Sequence, residues 1–166
     1  MANWCSNTVE FIGEHSQFED LGKLFKAMAA KEKKNRAGQL PPFAQGDRGY
    51  LFDIRWEDGM LYYETKWSPN TAVIVAIAEH FRMGFRYSYS EPGNGTFGEA
   101  AYRDGTLTDV ALDWDDIASY EFDEDTDTYR FENQNYDNSE EILEILLVRK
   151  QAITALKDLN FGNDTN

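Results

Sequence analysis

Apolar–polar alternation in four short segments and helix-period apolar stripes in two longer ones, separated by turn signals, predict an α+β fold running β-α-β-β-α-β over residues 1–91. That order is the split βαβ arrangement of ferredoxin-like folds, an antiparallel sheet with both helices on one face. Residues 92–166 are expected to add one or two β-hairpins, carrying the acidic residues, and a C-terminal helix, all within a single domain spanning 1–166.

In the first strand Cys5, Asn7, Val9 and Phe11 share one parity. Ser16 with Glu19 three residues on forms a capping-box pattern. It opens a helix whose apolar face is Phe18, Leu21, Phe25 and Met28, with Leu24 alongside. Lys31, Lys33, Lys34 and Arg36 gather at its far end, where cations suit the helix dipole. Pro41-Pro42 excludes helix, so residues 37–49 read as a loop. Tyr50, Phe52, Ile54 and Trp56 alternate with Leu51, Asp53 and Arg55 in a second strand. Glu57-Asp58-Gly59 turns it into a third, Met60 to Trp67. Ser68-Pro69 supplies an N-cap and a first-turn proline for a helix with the stripe Val73, Ile74, Ile77, Ala78 and Phe81. Gly84 ends that helix, and Phe85, Tyr87 and Tyr89 alternate in the fourth strand.

Pro92-Gly93-Asn94-Gly95 then turns the chain into a hairpin, Phe97 to Arg103 and Thr106 to Trp114, about Asp104-Gly105. Tyr120 to Asp123 and Tyr129 to Glu132 alternate like a further hairpin, with their aromatics expected to pack inward. Ser139 to Leu159 reads as a helix with Ile142, Ile145, Leu146, Val148, Ala152, Ile153, Leu156 and Leu159 as its apolar set. Apolar residues spread that far around a helix are expected to be buried.

Charge is unevenly distributed. Between Asp104 and Glu144 lie 15 acidic residues and one base, Arg130, so this stretch alone accounts for the net −14 of the chain. A pI near 4.4 argues against non-specific binding to nucleic acid or to an anionic membrane, both of which need Lys and Arg. Cys5 is the only cysteine, which excludes an internal disulfide and fits a reducing compartment. The first seven residues have no basic and apolar regions of a signal peptide, and the densest apolar run, residues 72–78, is far short of a membrane span. A cytoplasmic protein is expected.

Asn3-Trp4-Cys5, Thr65-Lys66-Trp67-Ser68-Pro69 and Tyr89-Ser90-Glu91-Pro92-Gly93 together resemble the YubB-like ferredoxin-fold family, over roughly residues 1–105. Two positions depart from the family pattern: Ala2, where proline is common, and Asn70, where a second proline often follows Ser-Pro. The resemblance implies the fold and an association with plasmids, phages and other bacterial mobile elements. It implies no catalytic residues.

Several motifs are weaker than they look. Gly93-Asn94-Gly95-Thr96-Phe97-Gly98 spells G-x-G-x-x-G, with Asp113 twenty residues after its first glycine, but Glu99 to Arg103 reads as a strand rather than the helix a dinucleotide needs. Asp123, Asp125 and Asp127 open like a calcium loop, yet Thr128 and Gln134 stand where glycine and a bidentate glutamate are required. Cys5 with His15 or His80 lacks an orienting third group, and Cys5 has core parity. Asp53, Arg55, Glu64, Lys66 and Arg86 on the polar sheet face read as ion pairs, not an RNA-stacking surface. No catalytic residue, cofactor or metal site is assigned.

The reading left standing is a non-enzymatic interaction protein with an unidentified protein partner, for which a basic surface is the natural match. Asp115, Asp116, Asp123, Glu124, Asp125 and Asp127 are the expected contact residues. Its rivals are an acidic decoy that imitates nucleic acid against a basic nucleic-acid-binding protein and, more remotely, an enzyme.

Overall fold

The computed structural model describes residues 3–163; Ala2, one of the two departures from the motif pattern, lies outside them. The elements are β1 (Trp4–Ile12), α1 (His15–Asn35), β2 (Phe52–Glu57), β3 (Met60–Lys66), α2 (Thr71–Phe81), β4 (Gly84–Glu91), β5 (Thr96–Arg103), β6 (Thr106–Ala111), α3 (Trp114–Ile117), β7 (Glu121–Asp123), β8 (Thr128–Phe131), β9 (Gln134–Tyr136) and α4 (Ser139–Asn163). They form two compact units, Met1–Asp109 and Val110–Asn166.

In the first unit the strands lie in the order β2-β3-β1-β4-β5-β6, with β1 antiparallel to both β3 and β4. The first four are in ferredoxin-like order, and the β5–β6 hairpin extends the sheet beyond β4. One sheet face packs on both helices: Cys5, Val9, Phe11, Leu61, Tyr63, Phe85 and Tyr87 share a core with Leu21, Phe25, Ile74 and Ile77. On the other face Ser6, Thr8, Glu10, Arg55, Tyr62, Arg86 and Ser88 are exposed or half-buried.

Three local expectations are corrected. α1 begins earlier than Ser16: Glu14 is its N-cap, and Gln17 closes the capping box by accepting from the Glu14 N–H at 2.6 Å. In β2 the start is out of phase, with Leu51 buried and Tyr50 exposed. The cause is a bulge between Phe52 and Arg55, where Asp53 takes φ 49°. The Glu32 carboxylate stabilises it from α1, accepting the N–H groups of Asp53 and Ile54 at 2.6 and 3.1 Å. α2 starts at Thr71, with Asn70 rather than Ser68 as N-cap.

In the second unit β7, β8 and β9 form a three-stranded antiparallel sheet, one strand more than the alternation indicates. Trp114 does not end a strand; it opens α3, whose first amides are capped by Asp113. Phe131 is buried, but Phe122 is 49% exposed, against the expectation that the hairpin aromatics all turn inward. Phe122 lies on β7, the edge strand of this small sheet, which has a partner strand on one side only. The first turns of α4 bury Ile142, Leu143 and Leu147. Val148, Ile153, Leu156 and Leu159 are each more than half exposed, so the predicted burial of the whole stripe does not hold: every residue from Ala152 to Leu159 is exposed. Among the described residues no helix is long and apolar enough to cross a membrane.

Phe25 is fully buried, so Phe25→Ala is expected to destabilise the chain by about 3–5 kcal/mol through lost transfer energy and a residual cavity. Phe122→Ala, at a half-exposed site that loses only its ring pair with Tyr129, should cost less, about 0.5–1.5 kcal/mol. Urea denaturation of the two variants compares them directly.

Candidate functional site

The three sequence motifs meet at one end of the first unit's sheet. Trp4 pairs with Lys66, Cys5 with Thr65 and Ser6 with Ser90, and the Trp67 N–H donates to the Asn3 carbonyl at 2.9 Å. Beneath them lies a buried polar network centred on Asn7. Its amide nitrogen donates to the Cys5 carbonyl at 2.6 Å and to Thr65 Oγ1 at 2.9 Å. Its Oδ1 accepts from the Tyr87 hydroxyl at 2.6 Å. Tyr63 donates its hydroxyl proton to Asn70 Oδ1 at 2.6 Å, and Asn70 in turn donates to the Gly49 carbonyl at 2.7 Å. Asn70, which follows Ser68-Pro69, thus ties α2 to the approach to β2, where a proline would leave Tyr63 without this acceptor.

Where β3 passes into α2 the backbone makes a tight reversal. Trp67 has φ 72°, and the Ser68 N–H donates to the Lys66 carbonyl two residues back at 2.9 Å. This is the positive-φ γ-turn, rare and strained, and unusual for a side chain as large as indole. It leaves Trp67 52% exposed. The turn walls an open cleft of about 650 Å³ lined by Arg48, Tyr50, Phe52, Lys66, Trp67, Ser68 and the first turn of α2. The Lys66 ammonium lies 5.0 Å from the Phe52 ring and 5.8 Å from the Trp4 ring, and those two rings meet edge to face at 5.1 Å. Lys66 is therefore held by rings, not by the ion pair expected on the polar sheet face. The face does carry Arg86–Glu10 and Arg55–Asp53 contacts, both at 3.6 Å.

Cys5 lies in this network rather than in a reactive pair. Burial pushes its thiol up to about 11, partly offset by hydrogen bonding to Thr65 and Ser90. A neutral, enclosed thiol is a poor nucleophile. His80 stacks on Phe43 at 3.8 Å and His15 sits beside Glu19 at 3.6 Å, so neither histidine is engaged with Cys5.

The expected partner-contact residues lie in the second unit on two elements. Asp115 and Asp116 belong to α3, while Asp123, Glu124, Asp125 and Asp127 form the β7–β8 turn. Asp116 is already engaged: Lys150 reaches both Asp113 and Asp116, at 2.6 and 2.5 Å. Hydrogen bonding to Lys150 lowers the Asp113 carboxyl below its usual range, and the two carboxylates outweigh the opposing effect of burial to raise Lys150. Arg149 holds Glu132 at 2.6 Å and lies over the Phe131 ring. In the β7–β8 turn, Asp123 Oδ1 accepts from the Asp125 N–H at 3.0 Å, which shapes the turn. Among the described residues, no three His, Cys, Asp or Glu side chains are grouped to hold a metal ion. Gly93 to Gly98 forms a single 3-10 turn and then enters β5, with no helix for a dinucleotide phosphate.

The family model described as a ferredoxin-like domain in Api92-like protein matches residues 50–132, half of the chain. The match runs from the cleft through the acidic β7–β8 hairpin. No curated protein and no solved structure matches the chain.

A thiol raised from 9.0 to about 11 favours the folded chain below pH 9, and this contribution is lost as pH rises through 11. Native Cys5 should therefore label slowly with a maleimide at neutral pH and rapidly in urea. Cys5→Ala should flatten the fall in stability between pH 9 and 11; fast native labelling would contradict the assignment.

Proposed function

The chain belongs to the family of ferredoxin-like domains in Api92-like proteins, and from that premise we propose that it acts by binding rather than by catalysis, its acidic second unit docking a basic protein partner. Residues 110–166 contain 15 acidic and four basic residues, a formal −11, against −3 for residues 1–109. The observation that carries the reading is how the few cations are used. Arg149 and Lys150 are spent on Glu132, Asp113 and Asp116, leaving Asp115, Asp123, Glu124, Asp125 and Asp127 outside the ion pairs of the described residues. Exposed Trp114 and Phe122 stand among these carboxylates, and Phe122 lies 5.0 Å from Tyr129. Charge with embedded aromatic rings suits a partner that presents Lys and Arg stems, because rings attract cations and cover their methylene chains. The mobile-element association implied by the family resemblance belongs to the same reading. A decoy for a nucleic-acid-binding protein is its special case, in which the basic partner is one that normally holds phosphates.

Replacing Asp123, Asp125 and Asp127 together by Asn removes three charges while nearly preserving size. The tagged parent chain should capture a basic protein from host lysate at about 0.05 M salt and release it near 0.5 M, where screening acts within a few ångströms. The folded triple variant should capture markedly less. Retention of the partner by this variant, or capture that is indifferent to salt, contradicts the reading.

The same carboxylates repel one another. Melting temperature should rise as salt increases from about 0.01 to 0.15 M, where the Debye length shortens from roughly 30 to 8 Å. The triple variant should show much of that gain already at low salt. Stabilisation of the parent alone by micromolar calcium would instead make these residues cation ligands.

A further inference from the structure

The cleft beside Trp67 has a composition opposite to that of the chain around it. The whole sequence has 30 acidic and 16 basic residues, yet the cleft is lined by Arg48 and Lys66 and by no carboxylate. Neither cation is in an ion pair among the described residues, although the Lys66 ammonium rests on the Phe52 and Trp4 rings, which line a neighbouring pocket with Asp53 and Glu64. A basic concavity in an acidic protein is where the local field favours an anion. The lining is otherwise aromatic and small: Tyr50, Phe52 and Trp67, with hydroxyls from Ser68 and Thr71. Trp67 is the decisive side chain. Its backbone is held in a strained γ-turn, which packing does not reward because half of the indole is in solvent. Strained backbone is often kept at ligand sites, and here it holds an exposed ring in a concave, charged setting. The α2 N-terminus adds to the site without defining it: the Asn70 side chain is committed to Tyr63 and Gly49 and makes no cap bond to the helix.

We infer that this cleft binds a nucleoside monophosphate, with the base stacked on the exposed Trp67 ring and the phosphate held by Arg48 and Lys66. The cleft volume of about 650 Å³ lies within the range of small-molecule sites. A planar, weakly polar ring joined to a compact anion matches an aromatic wall beside two cations. The net charge of −14 selects for size, because long-range repulsion grows with every phosphate the ligand carries. A mononucleotide is thus favoured over an oligonucleotide. Stacking on Trp67 is open to every base, so AMP and CMP should bind with similar affinity. This site is independent of the acidic docking surface.

Titration of the full chain with AMP and with CMP, followed by tryptophan fluorescence and calorimetry, tests the assignment. Both should bind saturably, within about tenfold of each other, and adenosine or inorganic phosphate alone should bind at least about tenfold more weakly. Lys66→Gln and Arg48→Gln should each weaken AMP by about tenfold. Trp67→Gly should abolish saturation while keeping or raising the urea midpoint, because glycine accepts φ 72° without strain. That variant separates loss of the site from loss of the fold. Four results would overturn the inference: no saturable binding of AMP or CMP; phosphate binding as tightly as AMP; a DNA oligonucleotide or acidic peptide binding more tightly than AMP; or unchanged AMP affinity in Trp67→Gly.

Discussion

The arrangement of the first unit depends on one buried carboxamide. Asn7 stands on the inward face of β1, where strand parity places a core side chain, and it is almost completely enclosed. A buried amide left unpaired costs roughly 1–3 kcal/mol, so the strand can sit there only with its partners in place. Those partners come from β1 itself, β3 and β4: the Cys5 carbonyl, Thr65 and Tyr87. A slip of either neighbouring strand by one residue would remove them and turn the apolar side chains outward as well. Hydrophobic packing makes the sheet compact, and Asn7 makes its register unique. Tyr63 carries the same constraint to Asn70 and Gly49, so the start of α2 and the approach to β2 are set from inside the core.

This anchoring explains why the exposed chemistry of the first unit gathers at one sheet end. The strained reversal at Trp67 is bracketed by the β1–β3 pairing on one side and by the Asn70 bridge on the other. With both flanks fixed, the backbone between them has no freedom to relax its positive φ, and the indole stays outside. The second unit follows another principle. Its internal ion pairs use Arg149 and Lys150 to settle α4 against Asp113, Asp116 and Glu132, and its other carboxylates lie outside those pairs. One unit therefore gathers cations and rings along a concavity, and the other leaves acids and rings exposed.

Strand parity in β1 and β4, the apolar stripes of α1 and α2, and the Asp58-Gly59 and Asp104-Gly105 turns are legible in the sequence because each depends on neighbours within a few residues. The bulge in β2 is not, since Asp53 tolerates its positive φ with help from Glu32, 21 residues earlier in the chain. Ser68-Pro69 is a sound local signal for a helix start that loses to the Tyr63–Asn70–Gly49 chain, a tertiary contact. The apolar stripe of α4 is legible as a pattern, but periodicity cannot say where the covering residues end. The cleft is visible only as Thr65-Lys66-Trp67-Ser68-Pro69, a motif with no stated purpose. That Lys66 and Arg48 line the same cleft depends on the fold. The acidic residues are the reverse case: their number is plain, whereas the ion pairs that withdraw Asp113, Asp116 and Glu132 require α4 to be in place.

If buried hydrogen bonds from Asn7 and Asn70 hold the sheet end on which the cleft is built, loosening one of them should loosen that end alone. Amide hydrogen exchange of Asn70→Ala against the parent reads this out, because the substitution removes both the Tyr63 and the Gly49 bonds and leaves Asn7 intact. Faster exchange is expected at residues 49–51, at Trp67 and Ser68, and in the first turn of α2, with the centres of β1 and β4 protected as before. Uniform acceleration across the sheet, or no change around Trp67, would mean that the sheet end is held by something else.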